Sequence, residues 1–80
     1  MNIVEFKNSL NKLVCQLLNT DKFDNDSNIL GKVAAYDVLY IINFIECQCG
    51  VTAKELFIDL EYTDMSINGI ANKVYSIIGN

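Results

Sequence analysis

The sequence predicts an all-α fold, a small four-helix bundle, and three observations carry that prediction. Proline is absent and glycine occurs only at positions 31, 50, 69 and 79, so long segments are free of helix breakers. Hydrophobic residues make up 51% of the 80-residue chain, enough for a globular core and too many for a disordered one. They recur at helical spacing in four segments: two long, one short and one of medium length. A chain of this size makes a single domain, residues 1–80, and buries only ~60–65% of its unfolded surface.

The first helix is predicted over Ile3–Leu18. Ile3, Phe6, Leu10, Leu13, Val14, Leu17 and Leu18 form one apolar stripe, with Lys7, Asn8, Asn11, Lys12 and Gln16 on the polar side. Asn2 followed by Glu5 is a capping box. Residues 19–28, NTDKFDNDSN, are dense in side chains that bond nearby backbone and favour turns. Phe23 is the loop's one large apolar residue and is expected to anchor it on the core. Asp21, Asp24 and Asp26 do not make a calcium loop. An EF-hand starting at Asp21 needs glycine at its sixth position and glutamate at its twelfth, where this chain has Asp26 and Lys32.

The second helix is expected from near Ala34 to near Cys49, with Gly50 as its stop. Val38, Ile41, Ile42, Ile45 and Cys49 form its core stripe. Tyr36, Tyr40, Asn43 and Cys47 form a second stripe, turned outward or sideways. Two tyrosines with few charges are unusual on a solvated face, so this stripe is either a contact surface or a pair of rings packed on the long loop. Thr52 to Glu55 is a second capping box and opens a short third helix with Leu56 and Phe57 inward. Residues 59–64, DLEYTD, read as an acidic connection. Ser66 then caps a fourth helix running from Ile67 to about Ile78, with Ile67, Ile70, Val74, Ile77 and Ile78 as its stripe and Gly79 at its end.

Composition narrows the chemistry. The net charge is −4, from six lysines and ten acids with no arginine, which disfavours nucleic acid as a partner and suits a protein with a basic patch. No apolar run reaches the ~18–20 residues that span a bilayer, and MNIVEFKNSL is not a signal peptide, so no membrane partner and a cytoplasmic location are expected. The odd count of cysteines (Cys15, Cys47 and Cys49) reads as reduced thiols. Cys47 and Cys49 are ~200° apart on a helix, so they do not converge on a metal. Histidine is absent, which removes the commonest general base and metal ligand. With no glycine-rich phosphate loop and scattered carboxylates, the chain is expected to be no enzyme, with no catalytic residues and no metal site.

The order of elements and the stretch LGKVAAYDVLYIINFIE, residues 30–46, resemble the acyl carrier protein family, including its peptidyl and D-alanyl carrier relatives. Carrier proteins often read L-G-A-D-S-L-D-x-V-E-L-V-x-x-L-E across the loop and second helix. Leu30-Gly31 matches the loop pair. With one extra residue after it, Asp37, Leu39, Ile41, Ile42, Ile45 and Glu46 fall on the acidic and apolar positions. MSINGIANKV is similar to the family's closing segment. The resemblance implies a long helix, long loop, long helix, short helix and closing helix.

The resemblance also implies a phosphopantetheine arm on the serine of Asp-Ser-Leu, but Ala34-Ala35-Tyr36 stands there and Ala35 has no hydroxyl. A register shifted by a few residues puts Val38 at that place, with the same result. The attachment position is degenerate, and no cofactor is expected. The second helix of the family is usually acidic and docks basic patches on enzymes. Here the corresponding face carries Tyr36, Asp37, Leu39, Tyr40, Asn43, Glu46 and Cys47, which moves recognition toward apolar and aromatic contact. What the resemblance implies is a non-enzymatic carrier-like domain that docks to a biosynthetic or maturation enzyme, in bacterial gene sets for peptide (bacteriocin-type) maturation. Two alternatives stand beside it. One is a true acyl or aminoacyl carrier using Ser27, and the other is a small bundle that homodimerises through its tyrosine stripe.

Overall fold

A computed structural model describes residues 2–79. Helix α1 spans Ile3–Leu18, and its start is set by a reciprocal capping box: the Glu5 amide donates to Asn2 Oδ1 at 2.8 Å, and the Asn2 amide donates to Glu5 Oε1 at 3.1 Å. It ends at Asn19, which takes the left-handed conformation (φ 56°) and returns its N–H to the carbonyls of Cys15 and Gln16. Asparagine tolerates this region better than most residues, so the helix stops without a glycine.

Helix α2 spans Ala35–Cys49 and stops at left-handed Gly50. Helix α3 spans Ala53–Phe57 and is capped by Thr52 and Glu55 as the sequence predicts. The acidic connection that follows contains a 3-10 turn, Tyr62–Asp64. Helix α4 spans Ile67–Ile77, with the Ser66 hydroxyl accepting from the Gly69 amide. Among the described residues there is no strand, only the isolated bridges Asn28–Ser66 and Leu30–Val33. No helix among them is long and apolar enough to cross a membrane.

Helix α1 packs on α4 and α2, while α3 and the 3-10 turn pack on α4. Phe6 is fully buried at the centre. Its ring meets Phe44 of α2 at 5.9 Å and, in an edge-to-face arrangement, Tyr75 of α4 at 5.8 Å, so one aromatic ties three helices together. Leu10 and Val14 of α1, Ile41 and Ile45 of α2, Leu56 of α3, and Ile67, Ile70, Ala71 and Val74 of α4 complete the helical core. Ile29, Val33, Val51 and Met65 plug it from the connections. The radius of gyration, 11.5 Å, is that of a close-packed chain, about 11.6 Å for this length.

Three expectations need correction. Phe57 is not inward. It is 40% exposed, because it follows buried Leu56 by ~100° on a helix of five residues and cannot share its direction. Ile78 is not part of the α4 core stripe; it is the C-cap and is exposed. Asn11 is not simply on the polar side of α1. It is half-buried, and its Nδ2 donates to Phe23 O at 2.7 Å and to Asn25 Oδ1 at 2.8 Å.

Candidate functional site

The connection from Asn19 to Ala34 positions the start of α2. Phe23 packs against the core from this loop. The Asn68 amide donates to Asn25 O, and Asn68 Nδ2 donates to Asp26 Oδ1 at 2.7 Å, which clasps the loop to the first turn of α4. Asn28 works in two directions: its Nδ2 donates to Tyr62 O at 2.7 Å, and its Oδ1 accepts from the Leu30 amide at 2.8 Å. The Ile29 amide donates to Met65 O. Gly31 sits at φ 85°, a conformation that suits glycine, and turns the chain so that Val33 is buried and Ala34 and Ala35 are exposed.

Ala34 is the N-cap of α2 and supplies no side-chain hydrogen bond; Ala35 is the first helical residue. The helix start is therefore an exposed pair of methyl groups. A phosphodiester arm needs a hydroxyl oxygen for its bond to the protein, and Ala35 has none, so these residues do not fit that group. The serines are elsewhere. Ser27 lies in a turn of the loop, with its amide donating to Asp24 O, and Ser66 is buried with its hydroxyl engaged at the α4 cap. Ser9 lies within α1, and Ser76 donates to Lys73 O.

On α2, Tyr36 is 69% exposed, Leu39 65% and Tyr40 60%. The tyrosine rings are thus not packed away beneath the loop. Asn43, Glu46 and Cys47 are exposed as well, and the Cys47 thiol is placed to donate weakly to Asn43 Oδ1 at 3.9 Å. Asp37 is half-buried. At ~100° per residue it lies ~60° beyond Tyr40, on the flank shared with Phe44. The seven residues expected to meet a partner therefore cover about half the helix circumference, with Tyr36, Asn43, Cys47 and Tyr40 at the middle and Glu46 and Asp37 at the edges.

Beyond the Glu46 edge lies an apolar crevice lined by residues of both α2 and α3. Val38 and Ile42 of α2, Phe57 of α3, and Ile29, Met65 and Ile70 are among its walls. Its free volume is about 10 Å³, no more than one water molecule needs, so in this conformation it has no room for an acyl chain. Phe57 is among its walls and is itself 40% exposed, and Ile58 (71%) and Tyr62 (66%) are exposed as well. These last three were missed as surface residues. For Phe57 and Ile58 the signal was present in the sequence, since Leu56, Phe57 and Ile58 in succession cannot all point one way on a helix. For Tyr62 there was no such signal.

The cysteines remain separate free thiols. Burial pushes the Cys49 thiol above its ordinary value of 9.0, which disfavours the thiolate a nucleophile or metal ligand requires. Among the described residues no group of three Cys, Asp or Glu side chains gathers as a metal site would need. No family model matches this chain, and neither a curated protein nor a solved structure matches it.

Proposed function

We propose that this chain is a carrier-protein-like domain without catalytic activity that has lost its prosthetic group and acts by docking to a partner protein, a biosynthetic enzyme of the kind that matures ribosomal peptides in bacteria. The observation that carries the reading is the start of α2. The resemblance aligns the attachment serine with Ala35, and Ala35, itself exposed, opens α2 with Lys32, Val33 and Ala34 between it and the Leu30-Gly31 turn. The scaffold for presenting a group is kept and the atom that would hold it is missing. Tyr36, Leu39 and Tyr40 on the same helix supply large, rigid apolar area of the kind that anchors protein interfaces.

Two measurements test the two halves. Incubation with coenzyme A and a promiscuous phosphopantetheinyl transferase, followed by intact mass, should leave the mass unchanged. A gain of one arm sinks the lost-attachment half, and its disappearance in Ser27→Ala would identify a true carrier. Affinity capture from the source cells should recover a biosynthetic enzyme with the wild type and lose it with Tyr40→Glu. Recovery of the same proteins by both rejects the α2 docking face.

A further inference from the structure

Two structural demands meet at the start of α4. Position 69 needs glycine, because a Cβ there would run into the Asp64 carbonyl. Position 68 uses asparagine to hold the long connection. Its Nδ2 donates to Asp26 Oδ1 at 2.7 Å, and its main-chain amide donates to Asn25 O at 3.0 Å. Together they place an asparagine directly before a glycine, and Asn68 is the one asparagine of the chain with that neighbour. An asparagine side chain is open to attack by the main-chain nitrogen of the next residue. Glycine obstructs that attack least, since it has no Cβ and the widest choice of backbone conformation.

We infer that Asn68 is a site of spontaneous deamidation, held back by the folded structure, and that the conversion releases the 19–34 connection from α4. The Gly69 nitrogen, giving its proton to solvent hydroxide, forms a bond to Asn68 Cγ. The Cγ–Nδ2 bond breaks, and Nδ2 leaves as ammonia with a proton taken from water. The product is a five-membered succinimide ring. Water then opens the ring at one of its two carbonyls. Cleavage of the new Cγ–N bond leaves an aspartate, and cleavage of the original peptide bond leaves an isoaspartate linkage. One water is consumed and one ammonia released, with no change of oxidation state.

The fold restrains both nitrogens of this reaction. The Gly69 N–H donates to Ser66 Oγ at 3.0 Å, and Nδ2 is engaged by Asp26. Asn68 also lies within the helix, Ile67–Ile77, and ring closure needs its backbone to leave the helical conformation. The reaction therefore waits on opening of the first turn of α4, and its rate follows the population of that open state.

The consequence falls on the connection. Either product lacks the Nδ2 donor, and a carboxylate facing Asp26 is acceptor against acceptor. Asp26 is exposed, so charge repulsion between the two is screened, and the loss of the donor is the larger effect. The aspartate product does not harm α4 itself. Position 68 is the second residue of the helix, where negative charge suits the helix dipole. The clasp opens while the helix stays.

The test has two parts. Wild-type protein is held in mildly alkaline buffer, with and without unfolding guanidinium chloride, and the peptide containing Asn68 is followed by mass spectrometry with isoaspartate detection. Conversion should be clear in denaturant and about tenfold or more slower in the folded protein, as opening-limited reactions are. No conversion of Asn68 in denaturant, or equal rates in both, would overturn the site or its restraint. The second part compares hydrogen exchange in Asn68→Asp and in Asn68→Asp/Asp26→Asn. In the single variant the residue-68 amide, bonded to Asn25 O, should lose protection several-fold, while the Ile70 amide, bonded to Ser66 O, keeps it. The double variant again sets an amide donor against a carboxylate and should restore protection. Unchanged protection at residue 68, equal loss at both amides, or failure of the double variant to restore it would reject release of the connection.

Discussion

Gly69 shows how one residue can reverse a general rule. Glycine in a helix is normally a weakness, and alanine in its place adds about 0.5–1 kcal/mol. At Gly69 a methyl group would run into the backbone carbonyl of Asp64, where the 3-10 turn crosses the first turn of α4. Backbone cannot step aside as a flexible side chain can, so overpacking wins, and Gly69→Ala should destabilise the fold by about 1–3 kcal/mol in urea unfolding. Gly31→Ala provides the contrast. Nothing lies within 4 Å of a methyl there, so its cost is the positive φ of 85° alone, about 1–2 kcal/mol. A stabilised Gly69→Ala protein would contradict the close approach. The sequence could not show this, because Gly69 is crowded by a residue outside its own helix. Residues whose role is set within one turn of chain, such as Asn2, Glu5, Thr52 and Ser66, were legible for the opposite reason.

At the level of elements, the helices were readable and the long connection was not. Helix ends depend on local capping and on apolar spacing, and α1 and α3 begin where those signals put them. Residues 19–28 read as a solvated acidic loop, and their composition is indeed that of turns. Their order comes from distant partners: Asn11 in α1, Asn68 in α4 and the Tyr62 carbonyl, with the Met65 carbonyl holding the next residue, Ile29. Hydrogen bonds across such separations leave no periodic trace in a single sequence. Asn11 is the strongest of these links, since its one amide group serves Phe23 O and Asn25 Oδ1 in a half-buried setting. Asn11→Ala should cost about 1–3 kcal/mol, from two net hydrogen bonds of roughly 0.5–1.5 kcal/mol each. Hydrogen exchange checks the mechanism: the Asn68 amide, bonded to Asn25 O, should lose protection more than the Ile70 amide, which is bonded within α4 to Ser66 O. Equal loss at both amides would mean global destabilisation, with no specific release of the loop.

For the whole molecule, pH joins the core to the charge distribution. The concentration of −5 in residues 34–64, six acids against Lys54, is legible in the sequence. Folding brings Cys49 of α2 and Tyr75 of α4 close enough for the charge of one to act on the other. Burial raises the Cys49 thiol above 9.0. Burial first, then the charges of Cys49 and Glu5, raises the Tyr75 phenol above 10.0. Both groups are neutral when protonated, so at alkaline pH the folded state holds protons that the unfolded chain has released. Their contribution is fully present below the ordinary values and is lost as pH rises through the raised ones. Added negative charge acts in the same direction, because the chain is already acidic. Urea midpoints should therefore be level near neutrality and fall from about pH 9 upward. Cys49→Ala/Tyr75→Phe removes both titrating groups while keeping the ring that meets Phe6, and its midpoint should fall less steeply over that range. An equal alkaline slope in the wild type and this variant would assign the loss to general charge repulsion and reject the Cys49 thiol and the Tyr75 phenol as its source.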